Sequence, residues 1–136
     1  MGAKPLIVWH LERLAQAGFK EVVINHAHLG EQIEQALGNG SLWSMNIQYS
    51  PEQQALETAG GIAKALPLLG DQPFLVVNGD VLTDFPFSSL LHKLAPDKMA
   101  HLVLVPNPPH NPRGDFGIAA DGLALTRADQ QFTYST

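Results

Sequence analysis

Residues 5–25, PLIVWHLERLAQAGFKEVVIN, decide the fold, because a helical pattern runs there directly into a strand pattern. Three apolar residues recur at i, i+4 and i+7, the spacing of one face of a helix: Ile7, Leu11 and Leu14. The β-branched run at residues 21–25 is typical of a strand that is buried on both faces of a sheet. A helix that leads straight into a buried strand predicts a parallel α/β unit.

The same order continues along the chain and predicts a mostly parallel sheet with helices on both faces. The expected elements are a helix over 29–37, a strand over 45–49, a helix over 58–69, a strand over 74–78, a helical stripe over 87–94 and a strand over 101–105. After Pro106 the prolines and glycines predict turns. Short antiparallel strands are expected near residues 116–118 and 132–134.

Composition and charge narrow the class of protein. A chain of 136 residues with 45% hydrophobic and 15% charged residues is typical of one compact globular domain. The formal net charge is -5, from 8 Lys+Arg and 13 Asp+Glu, which argues against nucleic acid as a partner. The lack of cysteine excludes disulfides and thiolate nucleophiles, and no apolar run is long enough for a membrane span or signal peptide. We therefore expect a soluble protein of the cytoplasm.

The segment that follows the most apolar predicted strand is a candidate for metal binding. Ligands of parallel α/β sheets bind at the carboxyl ends of the strands, and Asn78, Gly79 and Asp80 stand at such an end. The Asp80 carboxylate is a hard oxygen ligand that suits Mg²⁺ bridging phosphates. An ordinary turn is the alternative interpretation of the same residues.

A second candidate segment is the small-residue sequence LETAGGI at residues 56–62, which leads into a predicted helix. Free N–H groups at a helix start suit a phosphate or the edge of a nucleotide base, and Thr58 adds a hydroxyl there. The alternative is a threonine helix cap with a packing role only.

Four motifs in this order resemble the nucleotide-sugar pyrophosphorylases, the sugar-phosphate nucleotidyltransferases. They are KPLI at residues 4–7, LETAGGI at 56–62, NGDVL at 78–82 and GDFGI at 114–118, and together they extend over nearly the whole chain. The phrases VINHA at 23–27, ALPLLGD at 65–71 and HLVLV at 101–105 are most similar to a bacterial branch of uridylyltransferases. That branch acts on N-acetylmuramic acid 1-phosphate in peptidoglycan recycling.

The resemblance implies a Rossmann-like fold and a nucleotidyl transfer. An oxygen of a sugar 1-phosphate would attack the α-phosphorus of a nucleoside triphosphate, and pyrophosphate would leave. UTP and N-acetylmuramic acid 1-phosphate are the expected substrates, and Mg²⁺ is the expected cofactor. Such a displacement needs charge neutralisation and in-line positioning more than it needs a protein nucleophile.

The resemblance also assigns roles to individual residues. Asp80 would be the catalytic Mg²⁺ ligand. The residues assigned to the nucleotide are Glu57, Thr58 and Asn78, with Gln48 and Pro51 as further candidates on the side of the base, and those assigned to the sugar are Phe116 and Gly117.

Two features of the family are not found in this sequence. Family members begin with a strand and a glycine-rich loop with an arginine, and a later lysine contacts the phosphates. Lys4 belongs to a different motif and is not given that role. We therefore expect residues 1–136 to form a partial catalytic domain that has no activity alone. A guanylyl- or thymidylyltransferase for a hexose 1-phosphate, and a non-catalytic nucleotide-sugar-binding or regulatory module, remain as alternatives.

Overall fold

A computed structural model describes residues 4–126 and the short strand Tyr134–Ser135. The chain divides into two compact units, Met1–Leu91 and His92–Thr136. The first unit contains three helices and two strands. In chain order they are α1 (Leu6–Gln16), β1 (Glu21–His26), α2 (Gly30–Leu37), β2 (Asn46–Pro51) and α3 (Glu57–Leu69), with short 3₁₀ helices at Ser41–Trp43 and Phe87–Leu90.

The two strands of the first unit form the predicted parallel sheet. Glu21 pairs with Asn46 at one end of the ladder, and His26 pairs with Pro51 at the other. Because α2 connects β1 to β2, this arrangement is the predicted α/β unit. The fold is an incomplete α/β fold of the Rossmann-like kind, as the sequence predicts.

The core of the first unit forms where the apolar stripe of α1 packs with residues from later in the chain. Leu11 is only 2% exposed, and Leu14 is also buried, as the helical spacing predicts. The other members of this buried cluster are Leu37, Met45, Ile47 and Phe87. Burial of each such side chain contributes about 1.5–3 kcal/mol, so this cluster supplies most of the driving force for α1 to dock.

The predicted strand at residues 74–78 is wrong. Leu75 and Val77 are partly buried and pack against the core, whereas Phe74 and Val76 are more exposed, so burial alternates as it would in a strand. Within the described part of the chain, however, no backbone hydrogen bond joins residues 72–77 to another segment. An apolar run specifies which side chains are buried, but a strand also requires a partner backbone.

The predicted helix at residues 87–94 is also mostly wrong, because only the single 3₁₀ turn Phe87–Leu90 forms. His92 has a φ of 62°, which is a left-handed conformation that a right-handed helix cannot contain. Before that turn, the Arg13 guanidinium of α1 donates hydrogen bonds to the carbonyl oxygens of Thr83 and, at 2.7 Å, of Phe85. The approach to Phe87 is thus fixed by a long-range contact that periodicity does not reveal.

The second unit contains four short strands in the order β3-β6-β4-β5: β3 (Val105–Pro106), β4 (Phe116–Ile118), β5 (Ala124–Thr126) and β6 (Tyr134–Ser135). All of their pairings are antiparallel, which confirms the strand expected near residues 116–118. The strand expected over 101–105 is reduced to its last residue and Pro106, because residues 101–104 have no backbone partner among the described residues. Of the strand expected near 132–134, residues 132–133 lie outside the described residues. In the part of the chain that is described, no helix is long and apolar enough to cross a membrane.

Candidate functional site

A polar cleft of about 380 Å³ lies in the first unit where β1 and β2 end. The end of β1, the segment from Glu52 to the first turn of α3, and residues 76–80 all contribute to its lining. The polar side chains of the lining are those of Asn25, His26, Glu52, Glu57, Thr58, Asn78 and Asp80. This is the end of a parallel sheet at which α/β proteins bind their ligands.

His26 closes β1 at the edge of the cleft. Its side chain is only 7% exposed, and its Nε2 atom lies 2.8 Å from an oxygen of Glu34 on α2. A Cβ atom at Gly30 would lie 2.1 Å from the His26 Nδ1 atom, so only glycine allows the imidazole to pack against the start of α2. The His26 carbonyl oxygen accepts a hydrogen bond of 2.7 Å from the backbone N–H of Glu52.

Glu52 forms the next part of the lining through its carboxylate. One oxygen accepts a hydrogen bond of 3.0 Å from the Asn25 side-chain amide, and the other accepts one of 2.9 Å from the backbone N–H of Leu56. These two hydrogen bonds, with smaller contributions from Lys64 and His26, lower the pKa of Glu52 below its usual range. Glu52 therefore enters the cleft as a carboxylate.

The start of α3 brings Glu57 and Thr58 to the cleft. Glu57 has a φ of 58°, a left-handed conformation that is uncommon for a residue with a side chain. Such a conformation persists where the surrounding structure holds it in place. The N–H groups of this first helical turn lack intrahelical partners, as at any helix start.

Asp80 lies on the far side of the cleft, in a turn that the hydrogen bond from the Val81 N–H to the Asn78 carbonyl oxygen closes at 3.3 Å. The Asp80 side chain is exposed. The turn interpretation and the functional interpretation of Asp80 are therefore compatible, since the turn places its carboxylate in the cleft lining.

The charge of the cleft limits what can bind there. Among the described residues, its lining includes three carboxylates, those of Glu52, Glu57 and Asp80, and no lysine or arginine. A triphosphate would be repelled by such a lining unless a cation accompanied it. No group of three His, Cys, Asp or Glu residues in the described ranges could hold a metal ion alone. Mg²⁺ is usually bound by one or two carboxylates plus substrate phosphates, so Asp80 fits a metal whose coordination the substrate completes.

The structure thus brings together four of the residues assigned from sequence, Glu57, Thr58, Asn78 and Asp80. Gln48 lies in the middle of β2 opposite Val23 and lines a larger cavity of about 500 Å³.

Three assigned residues lie outside the lining of both cavities. Pro51 ends β2, and its carbonyl oxygen accepts a hydrogen bond from the Lys64 ammonium group. Phe116 and Gly117 belong to β4 of the second unit.

Sequence reasoning did not assign Asn25, His26 or Glu52 to the site. The signal was present, because Asn25 and His26 directly follow the apolar part of β1, and Glu52 directly follows β2. The rule that selected residues 78–80 applies to these positions as well.

Comparison with known proteins finds similarity over most of the chain. A family model described as nucleotidyl transferase matches residues 1–131. An N-acetylmuramate alpha-1-phosphate uridylyltransferase from Neisseria meningitidis serogroup B is 63% identical over 125 residues, which are 89% of this chain and 54% of that protein. A mannose-1-phosphate guanyltransferase from Hypocrea jecorina is 38% identical over 100 residues, which are 70% of this chain and 28% of that protein. The chain therefore spans about half the length of the first of these relatives and less of the second.

Proposed function

Because this chain belongs to the nucleotidyl transferase family, we propose that it acts in the transfer of a uridylyl group from UTP to N-acetylmuramic acid 1-phosphate. The observation that carries the proposal is the single cleft whose lining contains both Asn78 and Asp80 and the start of α3. The identity of 63% to a protein named as an N-acetylmuramate alpha-1-phosphate uridylyltransferase supports this choice of base and sugar.

The proposed reaction is an in-line displacement at phosphorus. A phosphate oxygen of the sugar 1-phosphate forms a bond to the α-phosphorus of UTP, and the bond from that phosphorus to the bridging oxygen of the β-phosphate breaks. The products are the nucleotide-sugar and pyrophosphate. No covalent intermediate on the protein is needed, so the task of the chain is to position the reactants.

The cleft residues divide that task. Bound Mg²⁺ would neutralise the phosphate oxygens, and Asp80 is the residue that would hold it. Glu57, Thr58 and Asn78 would contact the nucleotide. The Thr58 hydroxyl and the first N–H groups of α3 are the hydrogen-bond donors on that side, where the partial positive charge of the helix start favours phosphate.

The remaining assignments are looser. Gln48 lines the larger cavity, which shares Asn25, Val77 and Gly79 with the cleft, so Gln48 is the candidate for contact with the base. Pro51 is a second candidate on that side. Phe116 and Gly117 are the candidates for contact with the sugar.

The test measures the binding of UTP to this chain by NMR and calorimetry, with and without Mg²⁺. We expect Mg²⁺ to strengthen the binding of UTP, and we expect Asp80→Asn to remove that dependence. Asp71→Asn is the matched control, because it removes an exposed carboxylate just after α3 that does not line the cleft. Binding that is independent of Mg²⁺ and unchanged by Asp80→Asn would contradict the proposed role of Asp80.

Competition among nucleotides tests the choice of base. UTP should bind more tightly than GTP or dTTP. Tighter binding of GTP would favour the guanylyltransferase alternative, which the similarity to a mannose-1-phosphate guanyltransferase keeps relevant. Binding of the nucleotide-sugar with no metal dependence at all would favour a non-catalytic module.

A further inference from the structure

Glu52 connects two pieces of chain that line the cleft, the end of β1 and the backbone that precedes α3. Its backbone N–H donates to the carbonyl oxygen of His26 at the end of β1. Its two carboxylate oxygens accept hydrogen bonds from the Asn25 side chain and from the Leu56 backbone, at 3.0 and 2.9 Å. One residue thus joins the end of β1 to the backbone that immediately precedes α3.

α3 packs closely against the hydrogen-bonded side chains of Asn25 and Glu52. A Cβ atom at position 61 would lie 2.5 Å from the Asn25 Nδ2 atom and 2.7 Å from a carboxylate oxygen of Glu52. Real Cβ atoms do not approach other atoms so closely, so a side chain at position 61 would displace the Asn25 and Glu52 side chains. The pair of Asn25 and Glu52 is therefore built into the contact between α3 and β1.

The connection ends one residue before the strained position of the cleft. Leu56 donates its N–H to Glu52, and the next residue is Glu57, whose φ is 58°. A residue with a side chain stays in this region only when neighbouring interactions hold it there. The hydrogen bond between Glu52 and Leu56 is an interaction of that kind, because it fixes the peptide group that leads into Glu57.

We propose that Glu52 is a positioning residue for nucleotide binding. It holds the backbone of Leu56 so that Glu57, Thr58 and the first turn of α3 are presented to the cleft in one conformation. This role rests on the proposed function, since the ligand that gains from it is the nucleotide. Glu52 itself need not touch the nucleotide.

The central experiment uses Glu52→Gln in this chain. Glutamine is nearly isosteric, but its single side-chain oxygen can accept from only one of the two donors, and its NH₂ group then faces the other. We expect the affinity for UTP with Mg²⁺ to fall about three- to tenfold, the range expected for loss of one hydrogen bond. We also expect hydrogen exchange of the Leu56 amide to accelerate while the midpoint of thermal unfolding changes little.

A pH titration without nucleotide tests the hydrogen bond between Glu52 and Leu56 directly, and the affinity for UTP tests whether that bond matters for binding. In the unaltered chain, the Leu56 amide resonance should follow the titration of Glu52, with a midpoint below the usual range for glutamate. Lys64 and His26 favour the ionised form of Glu52, and Glu57 and Asp80 are the other carboxylates of the same cleft lining. The acidic part of this titration should disappear in Glu52→Gln.

Two further variants make the outcome decisive. Glu31→Gln, which neutralises an exposed carboxylate on α2, should leave the Leu56 amide and the affinity for UTP unchanged. Asn25→Ala removes one donor to Glu52 from the opposite side, and it should change both measurements in the same direction as Glu52→Gln.

Failure of the two proposals can be told apart. If the unaltered chain does not bind UTP, the proposed function fails, and with it the benefit of Glu52 to a nucleotide. If the chain binds UTP and Glu52→Gln changes neither the affinity nor the exchange of the Leu56 amide, the positioning role alone is overturned.

Discussion

Replacing Glu57 should reveal how much strain the start of α3 carries. We predict that Glu57→Gly will be more stable than Glu57→Ala. At a φ of 58° a residue with a Cβ atom costs about 1–2 kcal/mol relative to a residue without one. Glycine loses about 0.5–1 kcal/mol of this advantage, because a glycine gives up more backbone freedom on folding than alanine does. The expected net advantage of glycine is therefore up to about 1.5 kcal/mol, or up to roughly 5 °C in the midpoint of thermal unfolding for a chain of this size.

The comparison between the two variants isolates the backbone. Both remove the same carboxylate from the first turn of α3, so the loss of its favourable interaction with the helix dipole cancels between them. Thermal unfolding followed by circular dichroism, with urea unfolding as a second measurement, gives the difference in free energy. Both variants also lose the Glu57 side chain from the cleft, so their affinities for UTP should fall equally.

The stability difference between Glu57→Ala and Glu57→Gly tests whether the backbone at position 57 is strained. In an unstrained helical position alanine is favoured over glycine by about 0.8–1 kcal/mol. If Glu57→Ala proves more stable than Glu57→Gly by about this amount, the left-handed conformation carries no strain, and the reasoning from its φ is refuted.

Three other substitutions test the core, a buried histidine and the contact of α3 with β1. Leu11→Ala should cost about 2–5 kcal/mol in urea unfolding, because this side chain is 2% exposed, whereas Leu42→Ala, at 81% exposed, should change stability by less than about 0.5 kcal/mol. Burial lowers the pKa of His10 below its usual 6.5, so the unfolded chain binds more protons. The midpoint of thermal unfolding should therefore fall as pH drops through that value, and His10→Phe should flatten this dependence. Gly61→Ala should destabilise by about 1–3 kcal/mol despite the helix preference for alanine, and Asn25→Ala in the same chain should recover part of the loss.

Helices and strands were predictable where local pattern and long-range partner agree. The stripe of Ile7, Leu11 and Leu14 predicted α1, and the buried face of that helix is the one that the stripe specifies. The β-branched run at residues 21–25 predicted β1, which has β2 as a partner. Residues 74–78 show the same kind of pattern and even alternate in burial, but no backbone pairs with them among the described residues. Pairing is a property of two segments, so one segment cannot predict it.

The candidate site was predictable to the same extent and for the same reason. Residues 78–80 follow an apolar run, and this placement predicted that Asp80 would reach the ligand end of the sheet. Asn25 and Glu52 obey the same rule after β1 and β2 and could have been assigned with them. The left-handed conformation of Glu57 could not have been predicted in this way, because it depends on how the loop between β2 and α3 contacts β1.

The negative charge of the chain and of the cleft bears on which form of a nucleotide could bind. The net charge of -5 argued against nucleic acid, yet a nucleoside triphosphate carries even more negative charge per nucleoside. Three carboxylates line the cleft without a lysine or arginine among the described lining residues, so a free triphosphate would meet like charge there. Both carboxylate oxygens of Glu52 already accept hydrogen bonds from the protein. Glu57 and Asp80 are therefore the carboxylates that would face a bound ligand. On the proposed function, a cleft of this composition would bind the metal complex of a nucleotide in preference to the free nucleotide, and the cation would be part of what the site recognises.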